Sequence, residues 1–400
     1  MINQSPQPIV IPYMFKFGIR PCIANEIKPL TSLRGLAAIL VILCHLPVPA
    51  FVAQQHPSIR AMFEFGWMGV PIYFVLSGYL ITQLALQEKE KYQQLSLKFF
   101  FMRRILRVWP IYFLFCALGL WAWKLPSVRE IAASPQYFIP FLTFTTNVAM
   151  VKDIGQVGLL GALWTIALDE QFYLFWGICL KYLARKELIQ VGIVCFFLCL
   201  MWRMFPLPFS TFIMYRIQLP VSLCTIMEGC LLAFIMPTLL RHKKIQLLFI
   251  AGVFIGSLAL ILWEWPFPGS VAGCFYLIGA ADWIAVALVV VCCGENRITK
   301  LLNNRVLYFF GDISLAMYMS NLFVIYFYFR YCSWAWLFPK NVAGIWGDFA
   351  LNSLSVFLIV CGVSYLWHRL DKPLLDARKL FRTNRTLTSD EFILSPSPQQ

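Results

Sequence analysis

Charged residues are scarce in this chain of 400 residues. Asp, Glu, Lys and Arg make up 13% of it, which is about half the share typical of a soluble domain. Apolar residues make up 60%, and the mean hydropathy is +0.72. This composition excludes a soluble globular protein. It predicts an all-α, polytopic integral membrane protein, because helices satisfy their own backbone hydrogen bonds in lipid.

Ten apolar segments are each long enough to cross about 30 Å of hydrocarbon. They lie near residues 32–53, 67–87, 109–125, 162–182, 188–206, 218–236, 245–263, 271–293, 306–329 and 347–367. A shorter apolar stretch, residues 137–150, contains Pro140 and Asn147 and predicts a re-entrant or interfacial helix. We therefore expect a cytoplasmic N-terminal segment (1–30), a transmembrane domain (31–370) and a cytoplasmic, largely disordered tail (371–400).

Acidic residues are few, so the chain carries a net charge of +14, which could suggest a nucleic-acid partner. The distribution of the charge argues against that partner. If the N-terminus is cytoplasmic, 25 of the 33 Lys and Arg residues lie on the inward side, and Arg203 and Arg216 are among the eight in outward loops. This asymmetry satisfies the positive-inside rule. It predicts a multi-pass protein of the inner (cytoplasmic) membrane with both termini in the cytoplasm.

Cysteine pairs at metal-binding spacing are missing. The thirteen cysteines are scattered, mostly through apolar segments, without a C-x-x-C pair. Buried free thiols that behave as small apolar side chains account for this pattern. We expect no metal site and no permanently bound cofactor.

Only four histidines occur, and one of them, His45, follows the long apolar run of the first predicted span. Arg34 lies eleven residues before it, which is about three helical turns, so the two side chains share a helix face about 16 Å apart. A titratable group in such a run indicates a function inside the bilayer. The alternative is an arginine that snorkels to one interface and a histidine near the other.

Two further arginines, Arg104 and Arg107, share a helical face at the base of the third span. Pro110 fits the opening turn of a helix, whose free N–H groups add partial positive charge. Forked guanidinium groups beside such a turn form a site for a diphosphate. The alternative is a basic cluster that contacts anionic lipid.

Asp169 and Glu170 are adjacent carboxylates early in the fourth span, where ionisable groups are costly. We expect them to lie at the depth of His45, so that Glu170 or Asp169 accepts the imidazole N–H and raises the basicity of its other nitrogen. The alternative is a carboxylate pair that faces water at the interface. Glu228 and Asp282, nearer mid-span, are predicted to line a cavity or to join helices.

The order of these features resembles acyltransferase family 3, the polytopic bacterial membrane O-acyltransferases. The matching segments, over roughly residues 30–375, are the Arg-x10-His of residues 34–45, the Leu-Ser-Gly segment of 69–80, the Arg-x-x-Arg of 104–107, the Trp-to-Tyr segment of 164–174, and two weaker motifs at 311–318 and 371–373. The chain departs from the family pattern at three positions. Thr165 replaces a Ser, Asp169 replaces the first of two Glu residues, and Asn321 stands where a second His often occurs.

The resemblance implies an O-acyltransferase that takes an acyl group, most simply acetyl, from acyl-CoA. Arg34, Arg104 and Arg107 would hold the phosphates of acetyl-CoA, which is a donor substrate here and not a resident cofactor. His45 would act as general base or as a transient acyl carrier. The implied acceptor is a sugar hydroxyl of a surface or exported glycan, such as lipopolysaccharide O-antigen or exopolysaccharide, or of a lipid-linked glycan. Membrane lipids are the other expected partner, and homo-oligomerisation is left open.

A second class of function fits the same polar residues. A proton-coupled transporter or flippase of glycan or lipid precursors would use intramembrane carboxylates and a histidine as a proton path. The sequence has no inverted repeat of interrupted helices, and its Arg-x-x-Arg lies at the membrane surface, which disfavours this class.

Overall fold

The computed structural model describes residues 27–152, 154–205, 212–264, 271–332 and 344–377. Within these ranges the chain is helical and contains no strand, as the composition predicts. Ten long helices make up the domain: α1 (Lys28–His45), α2 (Gly69–Tyr92), α3 (Leu97–Ala122), α4 (Trp164–Tyr182), α5 (Arg185–Met204), α6 (Leu219–Arg241), α7 (Lys243–Glu264), α8 (Val271–Cys293), α9 (Arg305–Tyr331) and α10 (Gly344–Ala377).

Nine helices of the described residues are long and apolar enough to cross a membrane. The tenth long helix, α4, is excluded from that set, and it carries the charged residues Asp169, Glu170 and Lys181 within nineteen residues. Short helices occupy the connections: Ala50–Gln55, Pro57–Glu64, Phe65–Met68, Pro126–Ile131, Pro135–Tyr137, Phe138–Leu142, Thr146–Lys152, Ile154–Leu163, Phe212–Arg216 and Arg297–Leu302. The predicted re-entrant stretch lies among them and does not form a full crossing.

Helix α1 is held between α2 and α9 at the centre of the bundle. Its packing on α9 depends on two glycines, because a Cβ at Gly35 would lie 2.6 Å from the backbone nitrogen of Gly311. Helix α2 packs in turn against α6, and both are mostly buried, whereas α7 is almost entirely exposed at the edge of the bundle. Arg34, Tyr73 and Ser77 are half-buried in this packing, whereas His45 at the end of α1 is exposed.

Helix α1 ends earlier than the apolar segment at 32–53 predicts. His45 is its last residue, and Leu46 is extended (φ −69°, ψ 129°) because it precedes Pro47. The imidazole therefore lies at a helix end, and not within a span that continues to residue 53. At the other terminus, α10 continues as far as Ala377, past the predicted boundary at residue 370. Residues 1–26 and 378–400, which include most of the predicted tail, lie outside the described residues.

Candidate functional site

The imidazole of His45 is oriented by its own helix. Its Nδ1 lies 2.8 Å from the carbonyl oxygen of Val41, one turn earlier. A carbonyl oxygen can only accept, so Nδ1 carries the proton and Nε2 presents its lone pair. By its surface, the residue as a whole is exposed at the end of α1. The arrangement suits a general base or a nucleophile.

The packing of α1 against α2 fixes the depth of the other polar residues. The two helices are antiparallel, since Gly69, the first residue of α2, lies against Ala37 and Val41. One turn further along α2, the hydroxyl of Tyr73 donates to the carbonyl oxygen of Arg34 over 3.0 Å. Ser77, another turn on, therefore lies beyond the level of Arg34, at the opposite end of α1 from His45.

Asp169 belongs to this deeper level. Its carboxylate faces the hydroxyl groups of Ser77 and Tyr173, which lie 2.8 Å from each other, and it also interacts with the charge of Arg34. All four residues are half-buried. They form a polar cluster around the start of α1, about three turns from the imidazole.

The prediction that Glu170 or Asp169 orients His45 is wrong. Among the described residues the partner of the imidazole is the Val41 carbonyl, and neither carboxylate contacts it. The reason is the depth at which α4 begins. Trp164, its first residue, already packs against Phe74, five residues inside α2, so the carboxylates lie about another 8 Å towards the far end of the bundle.

Arg104 is the best-positioned cation of the cluster. Its Nη1 donates to the carbonyl oxygen of Phe100 over 2.9 Å, and its guanidinium lies 3.8 Å from the Phe100 ring and 5.6 Å from the Tyr173 ring. These contacts hold the planar group between two aromatic rings, while its buried Nε makes no hydrogen bond. With only Nη1 bonded to the Phe100 carbonyl, the guanidinium can present its other N–H groups to a phosphate.

Glu170 lies between Arg104 and Trp109. Its carboxylate interacts with the charge of Arg104 and lies near the indole of Trp109, whose Nε1 makes no hydrogen bond. Arg107 is half-buried on the same face of α3, one turn beyond Arg104. By contrast, the neighbouring Arg103 forms an ion pair with Glu88 at 2.6 Å. The structure thus brings Arg104, Asp169 and Glu170 together around Tyr173, with Arg34 near Asp169, and all of them lie apart from His45.

Pro110, which was predicted to open a helix, lies inside α3 instead, thirteen residues after Leu97. The prediction that a helix N-terminus at Pro110 adds positive charge beside Arg104 and Arg107 is therefore wrong. The helix N-terminus lies at Ser96, whose hydroxyl accepts from the backbone N–H of Phe99. The positive charge of the cluster comes from its side chains.

A second polar group joins α5, α6 and α8. Arg203 Nη2 lies 2.7 Å from a carboxylate oxygen of Asp282, and the other carboxylate oxygen accepts from the Thr225 hydroxyl over 2.9 Å. Arg203 also donates to the Val221 carbonyl through Nε (2.8 Å) and Nη2 (2.7 Å). Glu228 interacts with the charges of this ion pair.

Sequence reasoning placed Arg203 in an outward loop, but only 1% of its surface is exposed. The signal that could have found it is the charge of Asp282, because a carboxylate in the middle of a span needs a cation. Tyr173 was also missed as a site residue. Its place in the Trp-to-Tyr segment, one turn from Asp169, was the available indication.

A family model that describes an acyltransferase domain matches residues 28–368, which include both polar regions and His45. The chain belongs to this acyltransferase family. The match confirms the resemblance drawn from the motifs, and together with the apolar helices it identifies a multi-pass membrane protein of the acyltransferase class.

Relatives from Staphylococcus aureus carry corresponding names. A protein of strain COL named "Putative O-acetyltransferase" is 27% identical over 334 residues, which is 76% of this chain and 52% of the relative. The O-acetyltransferase OatA of strain NCTC 8325 is 26% identical over 323 residues, 74% of this chain and 50% of OatA. The chain spans about half the length of these relatives. No solved structure matches it.

Proposed function

We propose that this acyltransferase is a membrane O-acetyltransferase that moves an acetyl group from acetyl-CoA to a sugar hydroxyl of a surface or exported glycan. The observation that carries the proposal is the state of His45. Its Nδ1 proton is held by the Val41 carbonyl, so Nε2 keeps its lone pair and would act as a base or nucleophile. Family membership and the names of the relatives support the reaction class.

The arginine cluster is the proposed donor site. Arg104 is held between Phe100 and Tyr173, and Arg34 and Arg107 would add positive charge for the phosphates of CoA. This end of the bundle would face the cytoplasm, where acyl-CoA is made. Arg34 and His45 are about 16 Å apart along one helix, a separation comparable to the reach of the pantetheine arm.

At the imidazole, Nε2 would take the proton from the acceptor hydroxyl as its oxygen attacks the thioester carbonyl. The carbon–sulfur bond then breaks, and the CoA thiolate takes up a proton as it leaves. In the alternative route Nε2 attacks the thioester first and expels the CoA thiolate, which leaves an acyl-imidazole. In a second step the oxygen of the sugar hydroxyl attacks the acyl carbon, the bond to Nε2 breaks, and the imidazole takes up the hydroxyl proton. Both routes require the lone pair that the Val41 contact leaves on Nε2.

Asp169 and Glu170 would then be positioning residues of the donor site. They lie beside Arg34, Arg104 and the Tyr173 hydroxyl, so their charges and contacts would fix the directions of the arginines. The sequence-based assignment of a role beside His45 is not retained.

The test uses full-length protein purified in detergent and labelled acetyl-CoA, with glycan from the source cell as acceptor. Replacing His45 with Ala should reduce transfer at least about 100-fold, the usual size of a general-base contribution. His56→Ala is the matched control, because His56 is also exposed and lies eleven residues further along the chain. Equal activity in His45→Ala and wild type, with equal protein yield, would refute the catalytic role.

A brief incubation without acceptor separates the two routes. Label that remains on wild-type protein and is absent from His45→Ala indicates the acyl-imidazole route, and unlabelled protein that still transfers to glycan indicates a general base. If wild-type protein neither hydrolyses acetyl-CoA nor transfers from it, the proposed function fails.

A further inference from the structure

Arg216 is a buried arginine that the donor site does not use. It ends the short helix Phe212–Arg216, and only 8% of its surface is exposed. Its guanidinium lies near three aromatic rings, at 4.8 Å from Trp67, 5.5 Å from Phe212 and 6.0 Å from Trp164. Burial lowers the pKa of Arg216 to about 10, so the group is charged at neutral pH.

The donors of this guanidinium have no acceptor among the described residues, in contrast to those of Arg203. Arg203, equally buried and thirteen residues earlier, donates to Val221 and Thr225 and pairs with Asp282 at 2.7 Å. None of the ion pairs and side-chain hydrogen bonds of the described chain involves the Arg216 guanidinium; only its backbone oxygen is used, by Ser222. A buried arginine with a structural role has hydrogen-bond acceptors and a counterion, as Arg203 does. An unpartnered one has donors to spare for a ligand.

The position of Arg216 relates it to His45. Its nearest ring, Trp67, lies two residues before the start of α2, next to Gly66, which packs against Leu40 and Cys44 of α1. Arg216 therefore lies at the His45 end of the bundle, away from Arg104. Trp67 and Phe212 are half-buried, so the rings around the guanidinium extend to the surface of the fold.

A small cavity adjoins the guanidinium and limits what can bind. It measures about 10 Å³ and is lined by Pro71, Phe74, Arg216, Val221, Ser222, Thr225, Ile278 and Asp282. That volume holds about one water molecule, so the cavity itself cannot take a carboxylate or phosphoryl group, and an anion would reach the guanidinium from the side of Trp67 and Phe212. Asp282, the one carboxylate in the lining, is already paired with Arg203 and Thr225.

We propose that Arg216, framed by Trp67 and Phe212, binds an oxyanion of the acceptor, either a carboxylate or a phosphoryl group, and so selects acidic glycans. The identity of the bound molecule as an acetyl acceptor rests on the proposed function. The existence of an anion site at Arg216 does not. A guanidinium fork matches both anions in a bidentate geometry, and the neighbouring indole offers a face on which a sugar ring can stack.

The experiment measures equilibrium binding of three probes to full-length protein in detergent: p-nitrophenyl β-D-glucuronide, p-nitrophenyl phosphate and the neutral p-nitrophenyl β-D-glucoside. Saturating CoA is present, to fill the Arg104 site. Wild-type protein should bind at least one anionic probe at least about tenfold more tightly than the glucoside, the ratio expected for a charge-assisted hydrogen bond. The anionic probe that binds more tightly shows whether the site prefers a carboxylate or a phosphoryl group.

Arg216→Gln should abolish this preference, and Arg216→Lys, which keeps the charge, should retain part of it. Arg330→Gln is the matched control, because Arg330 is exposed at the His45 end of α9 and lies beside the ring of Tyr331. The lysine variant also guards against misfolding of the glutamine variant.

Equal affinities for the anionic and neutral probes, or a preference that survives in Arg216→Gln, would overturn the inference. Acetyl-CoA hydrolysis is measured on the same preparations. Anion binding without any hydrolysis or transfer would refute the proposed function and leave the anion site standing. Transfer without anion preference would refute the anion site alone.

Discussion

At the scale of single residues, the planar fork of Arg104 is the feature by which the proposed donor site would differ from a contact with anionic lipid. Its guanidinium lies 3.8 Å from the centre of the Phe100 ring and 5.6 Å from that of the Tyr173 ring. A compact ammonium group could supply the charge at this position but not the two parallel hydrogen bonds.

Arg104→Ala should therefore raise the KM for acetyl-CoA about tenfold or more, because hydrogen bonds to charged groups contribute about 1.5–3 kcal/mol. Arg104→Lys should recover only part of that loss. Arg305→Ala, an exposed arginine at the start of α9, serves as the control. The KM values come from CoA release. An unchanged donor KM in both Arg104 variants would favour the lipid-contact explanation.

The distance between the carboxylates and His45 gives a second prediction. Because Val41 and not Asp169 or Glu170 bonds to the imidazole, Asp169→Asn and Glu170→Gln should leave the pH dependence of kcat/KM unchanged in shape. Their effect should fall on the donor KM. The check is a pH–rate profile of each variant beside wild type, and a shift of about one unit in the profile would restore a carboxylate–imidazole pair.

At the scale of helices, the contact of α1 with α9 holds Arg34 and His45 in place. The two helices approach closely at Gly35 and Gly311, where backbone atoms leave no room for a Cβ. A side chain at either position must push α1 away, because neither backbone can yield as a flexible side chain could.

Gly35→Ala should lower the apparent melting temperature in detergent and slow transfer, since overpacking costs about 1–3 kcal/mol. Gly362→Ala in α10 is the matched control, because nothing lies within 4 Å of its added Cβ. That variant should be neutral or slightly stabilised, since Ala favours a helix by about 1 kcal/mol over Gly. Equal melting temperatures of Gly35→Ala and wild type would contradict the close approach.

Hydropathy alone predicted the helical class and the approximate positions of the ten long helices, because length and apolar content decide what can cross a bilayer. It could not predict the depth of one helix relative to another. Asp169 lies beside Ser77 because α4 begins deep in the bundle, after the irregular Ile154–Leu163 segment, and no local pattern encodes that depth. The end of α1 was available in the sequence, since Pro47 follows His45 after one residue.

At the scale of the whole molecule, the bundle separates its charges into distinct regions. The Arg104 cluster lies at one end, His45 and Arg216 lie at the other, and the Arg203–Asp282 pair joins three helices beside the small cavity that Arg216 also lines. The last of these is the one that stabilises the fold, because a charge buried without its partner is costly.

Arg203→Ala should lower stability by about 3–5 kcal/mol, since it leaves Asp282 unpaired in a buried site. The double replacement Arg203→Met with Asp282→Leu should be less damaging than either single change, because no charge remains. Arg60→Ala is the control, since the Arg60–Glu64 pair is exposed. Unfolding in detergent measures each variant. If the double variant loses as much unfolding free energy as the two single variants together, Arg203 and Asp282 are not directly coupled.

The unbroken course of α1 has one more consequence. In the proposed mechanism, the number of residues from Arg34 to His45 would set the distance of the imidazole, at the end of α1, from an anchored donor, and the length of the pantetheine arm would have to match it. Since His45 is the final residue of that helix, a fatty tail in place of acetyl would overshoot it and leave the bundle. Substrate size would then be governed by the length of a single backbone segment.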